Sequence, residues 1–167
     1  MDRTTQRMRD QGDGFGALAD ILAIIASAKA RSGIEGLEKF IAKALPEAEE
    51  AEISEAAEVA LEVIETIPIF LARARQEATR RNLTSVIFPL LEHAESYYRQ
   101  PMDLLPEMTL GLPGLLDDSY LVIRILQNLE KGPEPFLDWD LDSPARFLTR
   151  IIGPGVSQRI DKIAMQA

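Results

Sequence analysis

Apolar residues return at steps of three and four along almost the whole chain, the spacing that lines one face of an α-helix. Phe15, Leu18, Leu22 and Ile25 form the first such stripe, widened by Ile21 and Ile24. Asp13 or Gly14 opens that helix and Gly33 is placed to end it. Ser32 and Glu35 have capping-box spacing for a second helix with stripe Ile34, Leu37, Ile41 and Leu45, after which Pro46 stops it or starts the next. The third segment is the longest. Ile53, Ala57, Ala60, Ile64, Ile67, Leu71, Ala74 and Ala78 keep one phase across Pro68, which predicts either one kinked helix over residues 47–80 or two nearly collinear ones. Half of that stripe is alanine, which permits close approach of a neighbouring helix from the same chain or from a second copy.

Asn82 breaks the run, and Leu83, Ile87, Leu90, Ala94 and Tyr97 carry a further helix through Pro89. Leu121, Val122, Ile125, Leu126 and Leu129 make a short, strongly apolar one that Lys131, Gly132 and Pro133 terminate. Ser143 and Pro144 open a helix with stripe Phe147, Leu148, Ile151 and Ile152, and Gly153-Pro154-Gly155 separates it from a last one holding Val156, Ile160 and Ile163. No stretch alternates as a strand would. The fold expected is all-α: an irregular bundle of about seven helices. Residues 1–14 read as a disordered polar tail and residues 15–167 as a single helical domain.

Composition narrows the chemistry. The chain has no cysteine and one histidine, which removes thiol nucleophiles, disulfides and Cys-ligated metals. A net charge of −9 argues against nucleic acid, and the nearest thing to a basic patch is Arg73, Arg75, Arg80 and Arg81. Eight glutamates lie between Glu47 and Glu65 with no Lys or Arg among them, which predicts the solvated face of a helix. The apolar run Phe15–Ala28 is short and holds Asp20, so no spanning segment is expected and the protein reads as soluble and cytoplasmic, with peripheral membrane contact left open.

Pro101 to Asp118 is the most distinctive segment, with three prolines and two glycines between two helices. Its leucines require a buried connection and not a loose loop. Asp103 is placed for an Asx-type turn, and Asp117 or Asp118 for capping a helix that starts at Ser119. The other reading brings Asp103, Glu107, Asp117 and Asp118 together around Mg²⁺ or Ca²⁺, since four close carboxylates need a cation or shared protons to offset their repulsion.

Pro101-Met-Asp103-Leu-Leu-Pro106-Glu107, then Gly114-Leu-Leu-Asp117-Asp118 and an apolar helix, resembles the signature of the YkvA-like domain of unknown function, with Tyr97 and Tyr98 matching its aromatic lead-in. The resemblance covers about residues 90–130. Glu107 stands where that family carries Asp, and the stretch before the paired aspartates is one residue longer. The family brings no established activity; membrane attachment of some members implies a peripheral or partner-docking role.

Three other motifs point to local structure. Asp138, Asp140 and Asp142 begin like an EF-hand loop, but Ser143, Pro144 and Thr149 break the pattern, and Asp142 or Ser143 serves as a helix cap. Trp139 and Phe136 cover the core, or Trp139 marks a partner contact. His93, between Glu92 and Glu95, is expected to face solvent and has no G-x-S-x-G elbow to serve. Two functions follow as expectations: a non-catalytic helical interaction or scaffold module, able to self-associate, and, as the alternative, a divalent-metal or acid–base site at the hairpin carboxylates acting on a small or phosphorylated substrate.

Overall fold

The computed structural model describes the backbone of residues 3–99, 111–130 and 140–166, with side chains from residue 18 onward within those limits to 98, 130 and 165. Among the described residues six α-helices run in the order α1 (Arg3–Ala44), α2 (Glu50–Arg80), α3 (Thr84–Arg99), α4 (Leu116–Leu129), α5 (Asp142–Ile152) and α6 (Pro154–Gln166), with a 3-10 turn at Leu112–Leu115 leading into α4. There is no strand among the described residues. The all-α bundle expected from periodicity is the fold observed.

The two helices expected on either side of Gly33 are present as the two halves of α1, which is why six elements among the described residues stand for the seven expected. α1 begins at Arg3, inside the segment read as a polar tail, and runs to Ala44 through a break at Gly33, whose φ of 59° and ψ of −173° are not helical. The Ser32 hydroxyl does not serve that break as a capping box would. It accepts the amide of Leu112 at 3.0 Å, and donates to the carbonyl of Ala28 or Gly33.

α2 is a single helix through Pro68, and the residues it buries are those of the expected stripe from Ala57 to Ala78. Its glutamates from Glu47 to Glu65 all face water. It ends on Asn82 in the left-handed region (φ 59°), with the Leu83 amide bonding the Ala78 carbonyl at 2.8 Å and the Asn82 amide that of Thr79 at 3.1 Å. That double closure is a Schellman motif, with asparagine in the position glycine usually takes.

Two stripes are rotated from expectation. In α1 before Gly33 the buried residues are Ile21, Ile25 and Ala28, while Leu22 is 52% exposed. In α3 they are Ile87, Leu91, Ala94 and Tyr98; Leu83 is 39% exposed, and Leu90 and Tyr97 only pack at the margin. Both helices carry an apolar arc wider than their neighbours cover.

α4 is the centre of the bundle. It packs on α2, α3, α5 and α6, and every residue from Leu116 to Ile123 is buried. Contact with four other helices accounts for the density of leucine, isoleucine and valine on most sides of this segment.

Candidate functional site

The start of α4 concentrates the buried polar groups. Leu112 to Leu115 form the 3-10 turn with Pro113 at its first positions, so the helical backbone begins upstream of Ser119, and α4 itself opens at Leu116. Asp117 and Asp118 therefore lie within the first turn, not ahead of it. Acids there interact favourably with the positive end of the helix dipole. Their side chains are 1% and 0% exposed. The Asp118 amide donates to Asp117 Oδ1 at 2.9 Å, and both acids have interaction partners in the fold. A buried ionised carboxylate is tolerated only with such compensation.

Around this turn the neighbouring helices supply further polar contacts. Tyr98 of α3 and Ser119 of α4, both fully buried, share a hydroxyl–hydroxyl hydrogen bond. One turn earlier on α3, Glu95 is 2% exposed and receives Arg75 of α2 in a bidentate pair, Nη2 donating to Oε1 at 2.9 Å and to Oε2 at 2.8 Å. The Arg75 guanidinium also lies 4.9 Å from the centroid of the Phe88 ring, a cation–π contact. Glu95 is thus an interior ion-pair residue, not a solvent-facing neighbour of His93. Sequence alone held no signal for it, since equal distances from Asn82 along the two helices set Arg75 opposite position 89 and not 95.

The hairpin end is fastened to α1. Gly111 takes φ 66°, and a Cβ there would come within 2.5 Å of the Ser32 side chain and 3.2 Å of the Ala28 carbonyl. Only glycine allows the backbone to approach α1 this closely.

The four carboxylates weighed as a metal site divide in two. Asp117 and Asp118 come together as adjacent buried acids, whereas Asp103 and Glu107 lie outside the described residues. Among the described residues no three His, Asp or Glu side chains are grouped so as to hold a metal ion. Asp138, Trp139 and Phe136 also lie outside them. Asp140, not Asp142 or Ser143, caps α5: its Oδ1 accepts the amides of Asp142 at 3.0 Å and Ser143 at 3.1 Å, and its Oδ2 the Ser143 hydroxyl. These bonds, the Ser143 hydroxyl foremost, hold the Asp140 carboxyl below its ordinary pKa. Asp142 instead accepts from Gln127 Nε2 at 2.7 Å.

His93 is exposed, edge-on to Tyr97 at 5.1 Å between ring centroids. The arginine-rich end of α2 is partly offset, since Arg75 pairs with Glu95 while Arg80 and Arg81 share Glu77. Those two guanidinium groups lower the Glu77 carboxyl to about 2. No described helix is long and apolar enough to cross a membrane. No protein-family model, curated protein or solved structure matches the chain.

Proposed function

We propose that this protein is a non-catalytic helical interaction module that associates with a second copy of itself, and that it belongs with the YkvA-like proteins its hairpin resembles. The observation that carries the reading is the uncovered part of the apolar arcs. Leu83 and Val86 (67% exposed) of the α2–α3 hairpin, with Leu22 of α1, stay in water although α3 and α1 bury neighbouring positions. Isolated exposed apolar residues are ordinary on a protein surface. These differ in extending arcs that already reach the core, as a helix does when it has a neighbour on each side. The engagement of Glu95, Tyr98 and Ser119 by other protein groups further supports a structural role for the interior polar residues. Sedimentation of the wild type against Val86→Glu tests the reading: association that the substitution abolishes supports it, and a monomer at every concentration contradicts it.

A second reading rests on Asp117 and Asp118. Two adjacent carboxylates buried at the start of one helix are an unusual concentration of charge, and an oxygen-preferring cation such as Mg²⁺ or Ca²⁺ offsets it if Asp103 and Glu107 join them. Such a site would act as a metal or acid–base centre on a small or phosphorylated substrate. Thermal unfolding with Mg²⁺, Ca²⁺ or chelator separates the two readings, because a cation bound only by the folded state raises the melting temperature.

A further inference from the structure

α4 is enclosed on nearly every side, yet one of its stripes is polar. Tyr120, Arg124 and Asn128 recur at four-residue steps, and all three reach the C-terminal helix. Tyr120 Oη donates to Asp161 Oδ1 at 2.7 Å, Arg124 Nε donates to the same oxygen at 2.9 Å, and Asn128 Nδ2 donates to the Ala164 carbonyl at 3.3 Å. Beside this row α6 buries Ile160 and Ala164, while Val156 and Ile163 are only partly covered. α6 packs chiefly on α4 and α5. Its hold is therefore part apolar and part polar. Polar groups uncovered by opening regain water, so such a seam costs less to expose than an apolar one of equal area.

The joint that carries α6 differs from the other glycine sites. Gly33 and Gly111 are crowded by side chains at the bend of α1, whereas nothing lies within 4 Å of a Cβ placed on Gly153 or Gly155. Gly153 takes φ 88°, and Pro154 follows it as the first residue of α6. The backbone at Gly153 and Gly155 is not crowded by neighbouring atoms, and the break interrupts helical continuity between α5 and α6.

We propose that α6 is a releasable helix, swinging off the Tyr120–Arg124–Asn128 stripe as a unit about Gly153–Gly155 while α1 to α5 stay folded. Asp161 is the latch, because one carboxylate oxygen receives both the phenol and the guanidinium. Local opening of this kind is a cooperative event with its own free energy, below that of global unfolding.

Hydrogen exchange of the intact chain, read by mass spectrometry, tests it. Amides of residues 158–166 are expected to exchange together, about tenfold or more faster than those in the middle of α2 and α4. Asp161→Ala is expected to speed α6 by a further factor of about ten and leave α2 and α4 unchanged. Equal rates for α6 and α4 in the wild type overturn the proposal, as does acceleration of all helices by one factor in the variant. Should Asp161→Ala not fold, Tyr120→Phe removes one latch bond and keeps the ring. It must then accelerate α6 selectively, and uniform acceleration again overturns the proposal.

Discussion

Ser32 and Leu112, eighty positions apart, are joined by a single hydrogen bond in which the Leu112 amide donates to the Ser32 hydroxyl at 3.0 Å. The bond fixes the entry to α4 against the bend in α1. It forms because Gly33 breaks the first helix beside Ser32, and because Gly111 lets the incoming backbone reach that hydroxyl.

Gly111→Ala should therefore be among the most damaging single changes in the chain. The new methyl meets Ser32 at 2.5 Å on a backbone with φ 66°, and an expected loss of about 2–4 kcal/mol combines overpacking with left-handed strain. Ser32→Ala leaves the buried Leu112 amide without its acceptor and should cost about 1–3 kcal/mol. Urea unfolding of both variants checks the values and their order.

Arg75 and Glu95 give a prediction about asymmetry. Arg75→Met strands a carboxylate that is 2% exposed and should cost about 3–5 kcal/mol. Replacing both partners, as Arg75→Met with Glu95→Leu, removes the buried charge as well and should recover most of that loss. Denaturant unfolding of the single and double variants closes the cycle; a double variant as unstable as the single one would mean that the pair itself is the stabilising element.

Glu77 governs a pH dependence whose sign is fixed. Its folded pKa of about 2 lies below the ordinary value of 4.5, so its pairing with Arg80 and Arg81 stabilises the fold above the unfolded pKa. That contribution is lost as pH falls through the interval from 4.5 toward about 2. The difference in melting temperature between wild type and Glu77→Gln should be largest near neutral pH and shrink across this interval. Its size is modest because the pair is open to solvent, where salt screens it.

Much of the fold was legible because α2 keeps one phase through Pro68 and because glycine and proline mark the ends of α4 and α5. α1 and α3 were misjudged in phase for a physical reason. Leu22 and Ile21 are equally apolar, and which of them is buried depends on what neighbouring helices cover, which periodicity cannot state. The capping residue of α5 was misplaced for a similar reason: Asp140, Asp142 and Ser143 can each cap, and Gln127 of α4 draws Asp142 away.

The site was legible only as a place. Asp117 and Asp118 announce a helix start, but their burial follows from the 3-10 turn that carries Leu112 to Leu115 into the core. Glu95 resembled any surface glutamate until the α2–α3 register set it opposite Arg75. Asp161, 37 positions beyond Arg124 and 41 beyond Tyr120, gave no signal of joining them because only the packing of α6 on α4 brings the three together.

Self-association is proposed to occur through the uncovered apolar positions around Leu83 and Val86 at the start of α3. Analytical ultracentrifugation from about 1 μM to about 1 mM tests it most directly, since that span covers weak and moderate self-association. The wild type should rise above its 18.5 kDa monomer mass with concentration, and Val86→Glu, altering an exposed position, should hold at that mass with its melting temperature unchanged. A wild type that stays at 18.5 kDa throughout would contradict the account.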